Sequence, residues 1–551
     1  MDRHRRSSQR LGGLWPFLIA PALLIGCSSS AGKLRSGAGE EPASGARRAD
    51  TPALAAARRL EAIREDPNEL HAFFLDFPKG GDLHHHFNGS FYAETLIDAA
   101  IRKELCIDAA SLQLAACESG DELQPVASFV AYASNYDAIV DALSLSGAST
   151  DPAAAREKFF SILGKFRPVL REPSPRLLSV LRKRAAAENV QYIESMIWTS
   201  RELFGIVNAD PYLSRWDGDM DKFFDVLAAN EAFNALIARS VTQVRDLFAG
   251  SQDELNCDRN DPPKACQVDV RFLHQIYRNS QPNQVFSKII FSYLFAARSA
   301  ERGPDPRLVG VNIVGREDTQ VSRRDYRLHM EMFRYVQGRV PGVNLSLHAG
   351  EMAAGQVPPE DLQFHVRDAV ERARARRIGH GVDIRSETCE TASGPVSSCA
   401  HRILSTMADG GVVVEVPLTS NELLLGVRGA DHPLPLYVRS GVPVVLATDD
   451  AGIFRTQLTR EFVLAAMRYP ALDYDDFKRF ARNSLHFSFA PGKSLWRDAG
   501  YSEKVPECAG APASAAACSE LLQASPKAQL QWRLEEELAA FEARFRSRRH
   551  P

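Results

Sequence analysis

Four short stretches of this 551-residue chain place ionisable side chains where a predicted strand stops. They run through residues 82–90, 344–351, 377–383 and 442–450, and segments with helical periodicity separate them. In a closed barrel of alternating strands and helices, the carboxyl end of every strand points to one rim. The pattern therefore predicts an α/β barrel with a site at that rim, whereas each ending alone would also fit a helix cap or a turn.

The sequence contains segments that predict all eight strands of such a barrel. They are predicted at 81–87, 190–199, 268–277, 308–314, 345–348, 377–379, 412–416 and 444–448. Residues 360–376 have the period of a connecting helix. The segment from 88 to 191 is too long for a simple connection, so it predicts a helical insertion. Its aromatic residues suit helical packing, and the sequence does not indicate which of them face a pocket.

The first stretch contains three consecutive histidines, His84 to His86. On a strand, the alternation of side chains puts His84 and His86 on one face, where two imidazoles can bind one metal ion. A histidine cluster by itself is more often a surface patch. The later stretches supply further ionisable side chains, namely His348, Glu351, His380, Asp449 and Asp450. Four such strand endings in one chain favour a functional site over unrelated caps and turns.

The motifs of these stretches, taken in order, resemble the adenosine deaminase family of metal-dependent purine deaminases. They are PKGGDLHHHFNGS, SLHAGE, RIGHG, EVPLTSN and LATDDAGIF. The likeness runs from about residue 78 to residue 489, and the ordered set is specific. The PKGGDLH motif and residues 314–319 look more like the secreted, growth-factor-related branch and its bacterial exported relatives than the cytosolic enzymes. The resemblance implies a TIM (β/α)8 barrel over residues 78–490.

The resemblance also implies a metal site. His84, His86, His348 and Asp449 would bind one metal ion per chain. Three imidazoles and one carboxylate suit Zn²⁺, which lowers the pKa of a bound water toward neutrality. By the same resemblance, Glu351 would protonate N1 of a purine.

Further roles follow from the matched motifs. His380 would hold the attacking water and accept its proton, and Asp449 would help to orient that water. Asp450 would hydrogen-bond to N7, and the backbone N–H of Gly315 would contact N3. Many family members have an aspartate that contacts the ribose where this chain has Asn88, which can hydrogen-bond but lacks the charge. No phosphate-binding motif is evident, which argues against a nucleoside monophosphate.

The leading interpretation is hydrolytic deamination of adenosine or deoxyadenosine in purine nucleoside salvage. Two alternatives stay open: deamination of another 6-aminopurine, such as adenine or a modified nucleoside, and a catalytically silent nucleoside-binding lipoprotein. Many other amidohydrolases need a bridging lysine, and none stands at these strand ends. A net charge of −3 without a basic run argues against nucleic acid as a partner. The sequence does not indicate the oligomeric state.

The N-terminus predicts export. Residues 1–26 combine four arginines with an apolar run too short for a comfortable membrane span, as in a signal peptide. Residues 24–27 resemble a bacterial lipobox, so Cys27 is the predicted lipidation site and the only membrane anchor; an uncleaved anchor and a plain secreted signal are the alternatives. The predicted location is the outer membrane, facing the periplasm or the cell surface.

Three flanking segments complete the predicted organisation of the chain. Residues 27–52 are poor in apolar side chains and predict a flexible tether. Residues 53–77 form a helical lead-in to the barrel, and residues 491–551 form a C-terminal extension with a terminal helix.

The remaining eight cysteines fall into four couples of near neighbours. An exported chain meets an oxidising compartment, so local disulfides are the natural interpretation. Proximity predicts the following bridges, while other connectivities stay open: Cys106–Cys117, Cys257–Cys266, Cys389–Cys399 and Cys508–Cys518.

Overall fold

The computed structural model describes residues 51–119, 122–147, 151–391, 394–396 and 398–545. The predicted signal peptide, Cys27 and almost all of the predicted tether lie outside these residues. Within the described ranges, no helix combines the length and the apolar character needed to cross a bilayer.

Eight parallel strands form the central sheet. They are β1 (Gly80–His86), β2 (Val190–Ile197), β3 (Asp269–Tyr277), β4 (Leu308–Val314), β5 (Asn344–Ala349), β6 (Arg377–His380), β7 (Val413–Val416) and β8 (Val444–Leu446). Each pairs with the next strand in chain order. A parallel bridge between His85 and Asp449 joins the last strand to the first. The sheet therefore closes into the predicted (β/α)8 barrel.

Helices cover the outside of the barrel, so the strands are buried on both faces and consist largely of apolar residues. The connecting helices are Pro175–Ala187 before β2, Glu231–Leu255 before β3, Pro282–Glu301 before β4, Gln320–Arg339 before β5, Ala400–Gly410 before β7 and Leu434–Arg439 before β8. Further helices are Leu203–Ala209 and Met220–Ala229 after β2, Leu418–Leu425 after β7, and Leu458–Arg468 and Tyr474–His486 after β8.

The insertion between β1 and β2 combines helices with a small sheet that the sequence did not indicate. Its helices are Ala93–Arg102, Val126–Phe129, Ala133–Ala142 and Pro152–Lys165. Its antiparallel sheet consists of Cys106–Asp108, Gln113–Ala115 and Leu123–Pro125.

The single helix predicted over residues 360–376 is wrong. The chain forms a 3₁₀ helix at Pro359–Leu362, a short α-turn at His365–Arg367 and a π-turn at Asp368–Arg372. Pro358 precedes the first piece and Pro359 begins it, and Phe364, with a φ of −151°, interrupts the helix between the first and second pieces. The apolar period persists through these turns, which is why the sequence pattern suggested one helix.

Four terminal helices precede β1 or end the described chain. They are Pro52–Ile63, Pro67–Asp76, Ala516–Ala524 and Pro526–Ala543. The rings of Phe73 and Phe77 lie 5.1 and 5.5 Å from the Phe541 ring. Three of these helices begin with a proline that follows a side-chain cap from Thr51, Asp66 or Ser525, an arrangement that favours a defined helix start.

The structure joins the eight described cysteines in four disulfides. The bridges are Cys106–Cys117, Cys257–Cys266, Cys389–Cys399 and Cys508–Cys518, with Cα–Cα distances from 4.7 to 5.6 Å. They connect, in order, the small sheet of the insertion, the segment after helix Glu231–Leu255, the hairpin after β6 and the C-terminal extension.

Candidate active site

Four ligand-type side chains converge where β1, β5 and β8 end. The donor atoms of His84, His86, His348 and Asp449 all lie within 4.8 Å of one another. Nε2 of His86 is 3.1 Å from Nε2 of His348 and 3.2 Å from Oδ1 of Asp449. His85 points to the other face of β1, where its Nδ1 lies 2.9 Å from Oγ of Ser195. The arrangement matches the ligand set that the sequence motifs imply.

Hydrogen bonds at Nδ1 orient two of these histidines for metal binding through Nε2. Glu415 accepts a hydrogen bond from Nδ1 of His84 at 2.7 Å, and Asn312 accepts one from Nδ1 of His348 at 2.9 Å. Each ring therefore carries its proton on Nδ1 and turns the lone pair of Nε2 toward the other donors. Nε2 of His84 is buried and has no hydrogen-bond partner among the described residues, which leaves a lone pair for a cation.

Burial and nearby positive groups keep the histidines neutral. Burial is the largest cause that lowers the pKa of His84, and the proximity of His380 and Arg377 adds to it. Burial likewise lowers the pKa of His348, reinforced by His84 and His86. Neutral imidazole is the form that binds a metal ion.

A buried ion-pair network keeps Glu415, the hydrogen-bond acceptor of His84, in position. Arg377 lies 2.6 Å from a carboxylate oxygen of Glu415 and 2.6 Å from one of Glu194. All three side chains are inaccessible to solvent. Because one guanidinium serves two carboxylates, Glu415 stays in place behind His84 without an isolated buried charge.

Two glycines allow the functional side chains to approach the backbone closely. A Cβ atom at position 379 would lie 2.5 Å from Cε1 of His84, and one at position 89 would lie 1.6 Å from Oδ1 of Asp450. Any larger residue at either position would displace the neighbouring side chain. Asp449 and His380 adopt left-handed φ angles of 59° and 67°, a conformation that costs energy outside glycine and is common at functional sites.

Glu351 follows the carboxyl end of β5 and faces the same cluster. Its Oε2 lies 3.8 Å from Nε2 of His380. Burial, reinforced by the negative charge of Glu317, raises the pKa of Glu351 to about 8. The carboxyl group therefore carries a proton at neutral pH, as a general acid requires.

Glu317 positions the turn that carries Glu351. Its carboxylate accepts hydrogen bonds from the backbone N–H groups of Gly350 and Glu351 at 3.1 and 2.8 Å. Although burial favours the neutral form, Arg278 and His365 hold the pKa of Glu317 at about 2. No separate sequence signal indicated this role, because the contact joins the loops after β4 and β5.

A chain of buried polar groups orients His380. Its Nδ1 lies 2.9 Å from Oδ1 of Asn421, and Nδ2 of Asn421 lies 2.9 Å from Nε2 of His432. Nδ1 of His380 therefore donates, and its Nε2 is left without a hydrogen-bond partner among the described residues. An Nε2 lone pair near Glu351 and Asp449 can accept a proton from water. Asn421 lies in the EVPLTSN motif, but the sequence did not indicate its contact with His380.

A cavity of about 580 Å³ adjoins these residues, a size typical of small-molecule sites. It is lined by the predicted site residues His86, Asn88, Gly315, His348, Glu351, Asp449 and Asp450. Phe159, Phe160 and Phe166 from the insertion form part of its apolar wall. Burial, followed by the charge of Asp449, raises the pKa of Asp450 well above its ordinary value, so Asp450 can donate a hydrogen bond to a ligand.

Comparison with known proteins agrees with this site. The family model for adenosine deaminase matches residues 251–497, which include His348, Glu351, His380 and the Asp449–Asp450 pair but not the histidines of β1. An aminodeoxyfutalosine deaminase of Acidothermus cellulolyticus is 30% identical over 221 residues, which are 38% of this chain and 51% of that protein. An adenine deaminase of Rhizobium johnstonii is 33% identical over 177 residues, 32% of this chain and 46% of the relative. The chain thus spans about half the length of the curated relatives it matches.

Solved structures show weaker likeness. The adenine deaminase of Arthrobacter aurescens is 16% identical with a TM-score of 0.47, over 75% of this chain and 94% of that one. An amidohydrolase of Burkholderia ambifaria with bound Zn is 18% identical with a TM-score of 0.46, over 85% and 94% of the two chains. The barrel assignment rests on the strand order given above. In these motifs the chain is similar to the adenosine deaminase family of metal-dependent purine deaminases.

Proposed function

We propose that this protein is a zinc-dependent hydrolase that removes the 6-amino group of a purine nucleoside, with adenosine and deoxyadenosine as the reference substrates. The observation that carries the proposal is the position of Glu351 3.8 Å from His380, beside a cluster of four ligand-type side chains at one cavity. A general acid, a proton acceptor and a cation site are the three elements that hydrolysis at an aromatic carbon requires.

His84, His86, His348 and Asp449 would hold the ion. Zn²⁺ in this position would act as a Lewis acid and lower the pKa of water at the site toward neutrality. The donor set supports zinc, because imidazole and carboxylate ligands suit a borderline-soft cation.

The protein's own residues then divide the proton transfers. His380 accepts a proton from the attacking water at Nε2. Glu351 gives its proton to N1, which draws electrons from C6 and makes that carbon electrophilic. Once oxygen has added to C6, the proton held by His380 passes to the amino nitrogen and ammonia leaves. The proton of the new hydroxyl returns to the Glu351 carboxylate, which leaves a carbonyl at C6 and restores the acid. The purine retains the oxygen, so one water is consumed for each ammonia released.

Two further groups would orient the purine. Asp450, protonated because of its burial beside Asp449, would donate a hydrogen bond to N7. Gly315, which lines the cavity with a φ of 98°, would present its backbone N–H to N3. Asn88 would hydrogen-bond to a sugar hydroxyl without adding charge.

The test measures deamination by the change in ultraviolet absorbance. Wild-type protein should convert a 6-aminopurine nucleoside to its 6-oxo product, and a chelator should abolish the reaction until zinc is restored. Glu351→Gln should retain the metal but lose at least about 100-fold in kcat. Glu360→Gln is the matched control, because Glu360 is an exposed carboxylate in the 3₁₀ helix Pro359–Leu362, which follows Glu351 in the same connection. Activity of Glu351→Gln within a few-fold of wild type, or no reaction with any 6-aminopurine, would overturn the proposal.

A further inference from the structure

Lys288 is buried at the active-site cavity without an acidic partner. It lies on helix Pro282–Glu301, lines the cavity and is only 4% exposed. Its Nζ lies 4.4 Å from the centre of the Phe204 ring and 5.5 Å from the centre of the Tyr277 ring. Among the described residues, no carboxylate forms an ion pair with Nζ and no acceptor receives a hydrogen bond from it.

A buried ammonium group is costly unless an anion balances it. Lysine is almost never fully buried without a partner, and aromatic faces attract a cation without neutralising it. Burial lowers the pKa of Lys288 to about 8, so the charged form persists at neutral pH. A negatively charged group in the cavity would supply the partner that the described residues do not.

Two arginines extend this positive region. Arg167 and Arg201 line the same cavity, and neither has an ion-pair partner among the described residues. Arg201 lies over the Trp198 ring, 5.4 Å from its centre. Burial and the charges of Arg167 and Arg171 lower the pKa of Arg201, and nearby Glu172 offsets only part of this effect. An anion bound among these side chains would relieve their repulsion.

The other charged residues of the cavity do not neutralise Lys288, Arg167 and Arg201. Glu351, Asp449 and Asp450 belong to the strand ends that form the metal-type site. Arg316, which also lines the cavity, is already paired with Asp318 and Glu157. Asn88 adds no negative charge where it lines the wall.

We propose that the substrate is a 6-aminopurine nucleoside that carries a phosphate or carboxylate on the part remote from the purine, and that Lys288 binds this anion together with Arg201 and Arg167. The inference rests on the proposed function and names the substrate class of the same site. It differs from the expectation from sequence, which argued against a nucleoside monophosphate. No motif was evident because the three cations come from separate segments of the chain.

The test compares kcat/KM for adenosine, its 5′- and 3′-monophosphates and a 5′-carboxylate analogue. Wild-type protein should prefer at least one anionic substrate to adenosine by about 10-fold or more. Lys288→Met should lose most of that preference while its activity on adenosine stays within about 3-fold. Lys222→Met is the matched control, because Lys222 is an exposed lysine over the Tyr212 ring and does not line the cavity. The phosphate and carboxylate arms identify the anion.

A binding measurement separates this inference from the proposed function. Calorimetry measures the affinity of the Glu351→Gln variant for inosine, inosine 5′-monophosphate, inosine 3′-monophosphate and the 5′-carboxylate analogue. The same measurements are made on the double variant that also carries Lys288→Met. Tighter binding of an anionic ligand that depends on Lys288 supports the anion site even if no nucleoside is deaminated. Deamination of adenosine in preference to every anionic analogue, with Lys288→Met changing none of them, overturns the anion site and leaves the deaminase proposal standing. If Lys288→Met does not fold, as judged by its melting temperature, Arg201→Gln takes its place in both measurements.

Discussion

At the scale of a single residue, burial makes Glu351 a candidate proton donor. An exposed glutamate would be ionised at neutral pH, whereas burial near Glu317 raises the pKa of Glu351 to about 8. Glu317 also holds the backbone N–H of Glu351. The same neighbour therefore positions the acid and helps to keep it protonated.

This protonation predicts the alkaline limb of the pH–rate profile. Below its pKa, Glu351 is protonated and active, so kcat/KM should be level there and should fall about tenfold per pH unit above it. A bound cation lowers the pKa, so the limb should begin no higher than about pH 8. The profile of Glu351→Gln, measured over the same range, should lack the limb. A limb that persists unchanged in this variant would assign it to another group.

Asn312 is expected to influence metal binding through its contact with His348. Its Oδ1 accepts hydrogen bonds from both Nδ1 and the backbone N–H of His348. Asn312→Leu should weaken metal binding by about 10- to 100-fold, because the imidazole loses the acceptor that orients it. Asn312→Asp keeps an acceptor oxygen and should bind at least as tightly as wild type. Competition with a chelator of known affinity measures both, and equal affinities in all three proteins would contradict this role.

At the scale of elements, the barrel strands position the site residues, and the insertion between β1 and β2 forms part of the cavity wall. The ligands come from β1, β5 and the turn after β8, while Phe159, Phe160 and Phe166 of the insertion wall the cavity. The disulfides lie outside the eight strands of the barrel. Stability of the loops and assembly of the site should therefore be separable.

Reduction of the disulfides should test that separation. Closing a loop of this size contributes on the order of 2–3 kcal/mol to the free energy of unfolding. Reduced protein should therefore melt at a lower temperature but retain its metal and most of its activity. Peptide mapping without reductant should recover the four predicted pairs. Bridges between different couples, free thiols in exported protein, or loss of metal on reduction would contradict the expectation.

At the scale of the whole molecule, the contacts that close the barrel also bring candidate ligands together. The backbone N–H of Asp449 donates to the carbonyl of His84, and the N–H of His86 donates to the carbonyl of Asp449. The contacts that join the first and last strands therefore involve three of the four candidate ligands. A metal ion at this seam would also stabilise the closed barrel.

The location of the molecule is predicted from its N-terminus alone. Mass spectrometry of native protein should find an acylated N-terminal Cys27, because residues 24–27 resemble a lipobox. Cys27→Ser should release the protein from membranes, with kcat unchanged, since Cys27 belongs to the predicted tether and not to the barrel. An intact Met1, or cleavage at another position, would refute the lipoprotein assignment.

The sequence by itself determined the barrel and the ligand-type residues. Strand positions agreed to within a few residues, because buried parallel strands are short apolar runs with distinct ends. His84, His86, His348 and Asp449 stand at such ends, where local pattern and chemistry coincide. The helix predicted at 360–376 failed because an apolar period does not distinguish one continuous helix from three consecutive turns.

Only the tertiary structure decided the groups that act through space. Asn312, Glu317 and Asn421 orient site residues that lie on other elements. Lys288, Arg167 and Arg201 come from separate segments and line one cavity. These residues are distant in sequence from the side chains they affect, so no local spacing records the contact. The raised pKa of Glu351 and the unpaired charge of Lys288 have the same origin, since burial and neighbouring charge exist only once the chain has folded.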